Sequence, residues 1–227
     1  MRKPGSNGAQ TRRRLGTAAL RLLFQHGYAA MDLRTLARSV DLQVGSLYNY
    51  FDSNQHLLFW LLKDNTEKIL AELDKTIEGI EDPKEQMRAF VAFHLSYYIA
   101  NRKGAWVLTS EMRSLTRENY RAIADLHRRY TDKVHGIVKR GVAAGKFRVR
   151  DSLLTTFALL QMLSAVIRWY RPKGRLTLDE LIEVYTDLTF GMLRADDPTQ
   201  YSHRKTDGHV PAVQKRNVRG ITIHEAS

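Results

Sequence analysis

The residues whose chemistry and spacing stand out lie between Leu33 and Phe51. Gln43, Val44, Ser46 and Asn49 carry amide, hydroxyl and small apolar groups of the kind that reach base edges in a major groove. Tyr48 and Tyr50 present hydroxyls able to donate to phosphate. Gly45 and Ser46 fall in the first turn of a predicted helix, where small side chains let backbone N–H groups approach an anion. Arg12, Arg13 and Arg14, taken as the approach to the first helix, suit a phosphate backbone or a minor groove. The competing expectation for Tyr48, Tyr50 and Phe51 is that they are core aromatics.

A second set of polar residues sits in otherwise apolar helices, as a ligand pocket requires. His94, Tyr97 and Tyr98 share one predicted helix. Trp106, Glu111 and Arg113 share the next, and Gln161, Arg168, Trp169 and Arg171 share a later one. The alternatives are equally plain: His94 and Gln161 bonded to backbone or to each other, and Glu111–Arg113 as a surface pair. No catalytic signature appears, and none for a cofactor: there is no His-Glu-x-x-His, P-loop, Gly-x-Ser-x-Gly or dinucleotide fingerprint. The eight histidines are scattered, and His127 and His135 are too far apart for the i, i+4 spacing of a helical zinc pair.

The elements that must position these groups read as helices. Apolar residues recur every three or four positions and no strand-like alternation persists. The pattern predicts helices over 10–26, 33–40, 44–51, 54–80, 84–101, 105–115, 116–144, 151–171 and 178–194. Gly27 and Gly145 act as stops and Asp32, Thr116 and Thr177 as caps. Between the second and third helices Asp41 stands where the chain must turn sharply, a conformation Asp tolerates. The 151–171 segment is apolar on nearly all sides, so it is expected to be buried in a domain centre or between subunits. Residues 195–227 show little periodicity and are expected to form a flexible polar tail.

The 227 residues contain no cysteine, which excludes disulfides, Cys-based zinc sites and thiol nucleophiles. No signal peptide is evident and no apolar run is expected to reach the roughly 18 residues of a membrane span, so a cytoplasmic chain with no membrane role is expected. The net charge of +12 favours a polyanionic partner, and the surplus is densest over 1–60, with eight Arg/Lys against three Asp.

Gly27-Tyr28, Leu33-Arg34-x-Leu36-Ala37, Val44-Gly45-Ser46-Leu47-Tyr48-Asn49-Tyr50-Phe51 and Leu57-Leu58 together resemble the N-terminal domain of the tetracycline-repressor (TetR) family. The resemblance implies an all-α fold: a three-helix, helix-turn-helix DNA-binding domain over 1–55, and a helical ligand-binding and dimerisation domain over 56–194. It implies a homodimer through the last two helices, with double-stranded operator DNA and a small-molecule effector as partners. It also adds Arg34, Thr35 and Asn54 to the DNA-contact candidates. Three departures stand out. Met31 replaces the usual Thr or Ser cap, Asp41 the usual turn Gly, and Asn54 a Lys that touches phosphate. Further along, Glu111-Met112-Arg113-Ser114-Leu115, Gly141-x-x-x-Gly145-x-Phe147 and Trp169-Tyr170-Arg171-Pro172-x-Gly174-Arg175-Leu176-Thr177 look like a subgroup that senses acyl-CoA thioesters. That likeness makes Arg168, Trp169 and Arg171 either the polar mouth of a thioester tunnel or a packing corner at a dimer interface. The rival expectations are the same fold sensing another hydrophobic ligand, a sequence-independent nucleoid or membrane-surface binder, and an enzyme with a helical appendage.

Overall fold

The computed structural model describes residues 6–193, so the expectation for 195–227 lies outside the described residues. In chain order the helices are α1 (Ser6–His26), α2 (Leu33–Ser39), α3 (Val44–Leu47), α4 (Asn54–Ile77), α5 (Pro83–Ala100) and α6 (Arg102–Glu111). After a 3-10 turn (Met112–Ser114) follow α7 (Arg117–Ala143), α8 (Ser152–Ser164), α9 (Val166–Trp169) and α10 (Leu178–Leu193).

Local polar chemistry sets most of the helix starts. Asp32 accepts from the Thr35 amide at 2.6 Å, which holds its carboxyl below the usual carboxylate range. Ser53 accepts from the His56 amide at 3.1 Å, and Asp151 from the Leu153 and Leu154 amides, both at 2.9 Å. Thr177 and Glu180 cap α10 reciprocally: Glu180 Oε2 accepts from the Thr177 amide at 2.8 Å, and Thr177 Oγ1 from the Glu180 amide at 3.2 Å. Asp82 caps α5 through the Lys84 amide and also pairs with Lys146 at 2.7 Å, tying the start of α5 to the loop behind α7.

Burial then assembles the elements. Leu15, Ala19, Leu36, Leu47 and Phe51 share one buried cluster with Leu57, Leu58, Leu61 and Leu62 of α4. Farther along, α4 packs on α5, α6 and α7, and α7 packs on α5 and α8. Gly141 on α7 is required by a close approach, because a Cβ there would fall 2.0 Å from the Phe147 ring.

Three expectations need correction. The third helix is a single turn, Val44–Leu47. The chain then runs through a turn in which the Tyr50 and Phe51 amides both donate to the Leu47 carbonyl, at 2.9 and 3.1 Å. The 151–171 helix divides at Ala165 into α8 and α9. Within the single chain one face is buried, at Thr156, Leu159 and Leu163, while Leu153, Leu154 and Phe157 are exposed, which excludes burial in a domain centre on all sides but not burial between subunits. Finally, the stretch Ser152–Trp169 has a mean hydropathy of 1.3 and is long and apolar enough to cross a membrane, contrary to the expected absence of such a run. Its inner face packs on α5 and α7.

Candidate nucleic-acid interface and interior polar cluster

Asp41 has φ 58°, and it is the one non-glycine residue with positive φ among the described residues. This left-handed turn lets the Leu42 amide donate to the Ala37 carbonyl at 3.0 Å, folding the chain back on the last turn of α2. Leu36, Ala37, Leu47 and Phe51 fill the angle between α2 and α3. What remains outside is polar: Gln43, Gly45, Ser46, Tyr48 and Asn49 are exposed, and Val44 and Tyr50 are half-buried. Gln43 makes no side-chain cap bond to α3, which leaves its amide uncommitted to the helix end. A Cβ at Gly45 would meet nothing within 4 Å. Six of the expected contact residues therefore form one continuous outer surface with Gln43. Arg34 is exposed beside them on α2, whereas Thr35 spends its amide and hydroxyl on Asp32. Asn54 donates to the Met31 carbonyl at 3.1 Å and so ties the start of α4 to the segment before α2.

The arginines differ from the expected free arm. All three lie inside α1, because the helix begins at Ser6. The Arg12 guanidinium lies 4.9 Å from the centre of the Trp60 ring and 5.6 Å from that of Phe51, a cation–π arrangement within the head. Arg14 donates to the Val40 carbonyl at 3.3 Å, satisfying an acceptor at the end of α2. Arg13 and Arg14 also line a cleft of about 1240 Å³ shared with the α5–α6 edge and Arg171.

The ten expected ligand residues fall into separate groups. His94, Tyr97 and Tyr98 lie together on α5, and His94 is completely buried. One ring nitrogen of His94 is 2.8 Å from the Tyr130 hydroxyl and the other 3.2 Å from Ser164 Oγ. Tyr98 stacks on the same imidazole at 4.0 Å. Burial pushes His94 down to about 3 and Tyr98 up to about 12, so both are neutral. Tyr130 and Ser164 completed this cluster without any sequence signal, since α7 and α8 bring them in from far along the chain. Gln161 is exposed and is not the partner of His94. Trp106 packs edge-on against Phe24 of α1 at 6.1 Å and so belongs to the α1–α6 contact, while Glu111 accepts from Ser114 at 3.0 Å in the turn that follows α6. Arg113, Arg168, Trp169 and Arg171 are exposed. Among the described residues no group of three or more metal-ligating side chains occurs.

A polar latch joins the head to the body without any signal in the sequence. Gln55, in the first turn of α4, donates to the Ser114 carbonyl at 2.6 Å and the Tyr28 hydroxyl at 2.8 Å, and accepts from the Thr116 amide at 3.0 Å. One side chain thus connects the loop after α1 to the junction between α6 and α7.

An apolar surface runs along α8 and α10, the last two long helices. Leu154 is 67% exposed, Phe157 49% and Leu188 49%, with Leu153 and Val184 exposed as well. So much apolar surface on one side is unusual for an isolated chain.

Comparison with known proteins gives a consistent picture. Residues 16–59 match the family model described as bacterial regulatory proteins, tetR family, and residues 81–193 match a tetracyclin repressor-like C-terminal domain. A crystal structure of the TetR family transcriptional regulator PfmR from Thermus thermophilus is similar at 30% identity, over 82% of this chain and 100% of that one, with a TM-score of 0.72. The HTH-type transcriptional repressor KstR2 of Rhodococcus jostii is 24% identical over 81% of this chain and 90% of its own length. The crystal structure of AibR in complex with isovaleryl coenzyme A and operator DNA shares the fold, at 23% identity over 80% of this chain and 97% of that one, with a TM-score of 0.71.

Proposed function

Because the chain belongs to the TetR family of bacterial transcriptional regulators, we propose that it is a dimeric repressor that an acyl-CoA thioester releases from its operator. The observation that carries the DNA-binding part is the outer surface Gln43–Tyr50, polar and uncommitted, held on a fully buried wedge by the left-handed turn at Asp41. In this reading Gln43, Val44, Ser46 and Asn49 meet base edges, and Tyr48, Tyr50 and Arg34 meet phosphate. Open space at Gly45 supports close approach of the duplex. Asn54 and Thr35 position the head rather than carrying charge to it.

The exposed apolar face of α8 and α10 is the dimer interface, with Leu154, Phe157 and Leu188 at its centre. Two copies joined there present their heads to successive major grooves, about 34–36 Å apart. The effector enters the bundle beside the neutral His94–Tyr98–Tyr130 cluster, with Arg168 and Trp169 at the polar mouth. AibR, seen with isovaleryl coenzyme A and operator DNA, supports this class of ligand. Ligand-driven movement of α6 or α7 reaches the head through Gln55. A coupling of ~1–3 kcal/mol changes operator affinity ~5–150-fold.

The test is a competition binding assay on DNA fragments selected from the host genome. Selected fragments are expected to outcompete scrambled DNA, and acyl-CoAs are expected to release them while free fatty acids do not. Equal competition by scrambled DNA would make the protein a charge-driven nucleoid binder. Specific binding that no acyl-CoA relieves would point to another hydrophobic effector. Phe157→Glu is expected to give a monomer by light scattering and to lose operator binding.

A further inference from the structure

Six cationic side chains converge on the cleft between α1 and the α5–α6 edge. Arg13, Arg14 and Arg21 come from α1, Arg102 and Lys103 from the first turn of α6, and Arg171 from the loop after α9. No Asp or Glu lines this cleft, and among the described residues none of the six forms an ion pair with a carboxylate. The Arg102 Nε is buried and has no hydrogen-bond partner. Several cations on other helices do pair with carboxylates at helical spacing, as in Lys75–Glu72 at 2.8 Å and Lys68–Asp64.

Gathering like charges on a concave wall raises the local potential and concentrates anions there. Guanidinium forks match phosphate oxygens two at a time, which favours phosphate over a simple monovalent ion. The remaining wall is not purely ionic. Leu20 and Phe24 supply apolar and aromatic surface, and Asn65 and Asn101 supply amides. Cations for phosphates, a ring for stacking and amides for a base edge make up one ligand chemistry. The volume of about 1240 Å³ is ample for it.

We propose that this cleft binds a nucleotide-type polyphosphate, meaning an aromatic base bearing two or more phosphate charges. Its source is either a free nucleotide or the nucleotide end of a coenzyme A ester. Binding bridges the head, through Arg13, Arg14 and Arg21 of α1, to the body, through Arg102, Lys103 and Arg171. It also neutralises positive charge on the helix that precedes the reading surface. Occupancy therefore weakens DNA binding. The proposal does not rest on the acyl-CoA reading, since the cleft takes phosphates and needs no acyl chain.

Isothermal titration of the full chain at physiological salt, with ADP, ATP, coenzyme A and adenosine as probes, tests it. ADP, ATP and coenzyme A are expected to bind and adenosine is not. The double variant Arg21→Glu with Lys103→Glu changes two exposed side chains outside the reading surface. It is expected to lower nucleotide affinity by at least roughly 10- to 150-fold, the range for losing one charge-assisted phosphate contact, since two cations are reversed. An unchanged melting temperature checks its fold. A charge-neutral pair, Arg21→Gln with Lys103→Gln, gives a smaller drop in the same direction if the charges act as described. Saturating ADP is expected to weaken DNA binding by the wild type and not by the charge-reversed variant. Binding of coenzyme A with no binding of ADP or ATP assigns the cleft to the coenzyme's nucleotide end, and comparable binding of all three assigns it to free nucleotide. No binding of any probe at millimolar concentration overturns the proposal, as does binding that both variants leave untouched. Loss of DNA binding by the charge-reversed variant without nucleotide would make the cleft a track for the DNA backbone, and that also overturns it. If ADP and ATP bind and weaken DNA binding while neither coenzyme A nor any acyl-CoA does, the effector reading fails and the cleft stands as a free-nucleotide site.

Discussion

Acidification from pH 7 to pH 5 protonates His94 in the unfolded chain and leaves it neutral in the folded one. Burial holds the folded value at about 3, against an ordinary 6.5. Over that interval the unfolded state binds the extra proton, so stability rises with pH and is lost as pH falls below the unfolded value. Each pH unit in the fully developed range is worth about 1.4 kcal/mol. Allowing for partial titration near the unfolded value, His94 costs the folded state about 2 kcal/mol between pH 7 and pH 5. Because pH 5 lies well above the folded value, the figure depends only on the unfolded one. His94→Gln removes the titration while keeping an amide able to bond Tyr130 or Ser164, the two partners of the imidazole. Urea unfolding of both proteins at several pH values, followed by circular dichroism, isolates the effect. Subtraction cancels His127, whose value is also lowered by burial, together with every carboxylate. The stability of the wild type relative to the variant is expected to fall by about 2 kcal/mol from pH 7 to pH 5. A flat difference would refute the buried neutral imidazole, and with it the interior cluster proposed to meet the effector.

Asp41→Gly relieves the left-handed strain at φ 58° and is expected to stabilise the head by up to about 1 kcal/mol, read as a raised melting temperature with DNA affinity unchanged. Gly141→Ala drives a methyl to 2.0 Å from the Phe147 ring and is expected to cost about 1–3 kcal/mol or more in thermal unfolding. Asn54→Lys restores a phosphate-reaching charge at the expense of the Met31 carbonyl bond, and should steepen the salt dependence of DNA binding by about one unit per subunit. Gln55→Ala cuts all three bonds of the latch, and is expected to leave ligand-free DNA affinity within a few-fold while reducing the response to effector in the same assay.

Whatever is decided within a few residues was legible along the chain. Asp32, Thr116 and Thr177 start helices because each side chain reaches an amide three positions on, and that reach is written in the spacing. Asp41 takes the left-handed turn because backbone sterics act on one residue at a time. The polar outer surface of the reading turn was legible in its residue types, whereas the inward placement of Phe51, left open by the sequence, was decided by packing. Which groups meet across the chain was settled by packing alone. His94 finds Tyr130 and Ser164, 36 and 70 residues away, and Gln55 finds Ser114 and Thr116, 59 and 61 residues away. Arg12 leaves the expected arm for the Trp60 ring, and the apolar 151–171 segment keeps one face exposed. Local periodicity says that a face is apolar, but what covers it depends on packing summed over distant helices. The six cations of the cleft, none ion-paired with a carboxylate among the described residues, come from three such elements, and only the packing of α1 against α6 brings them onto one wall.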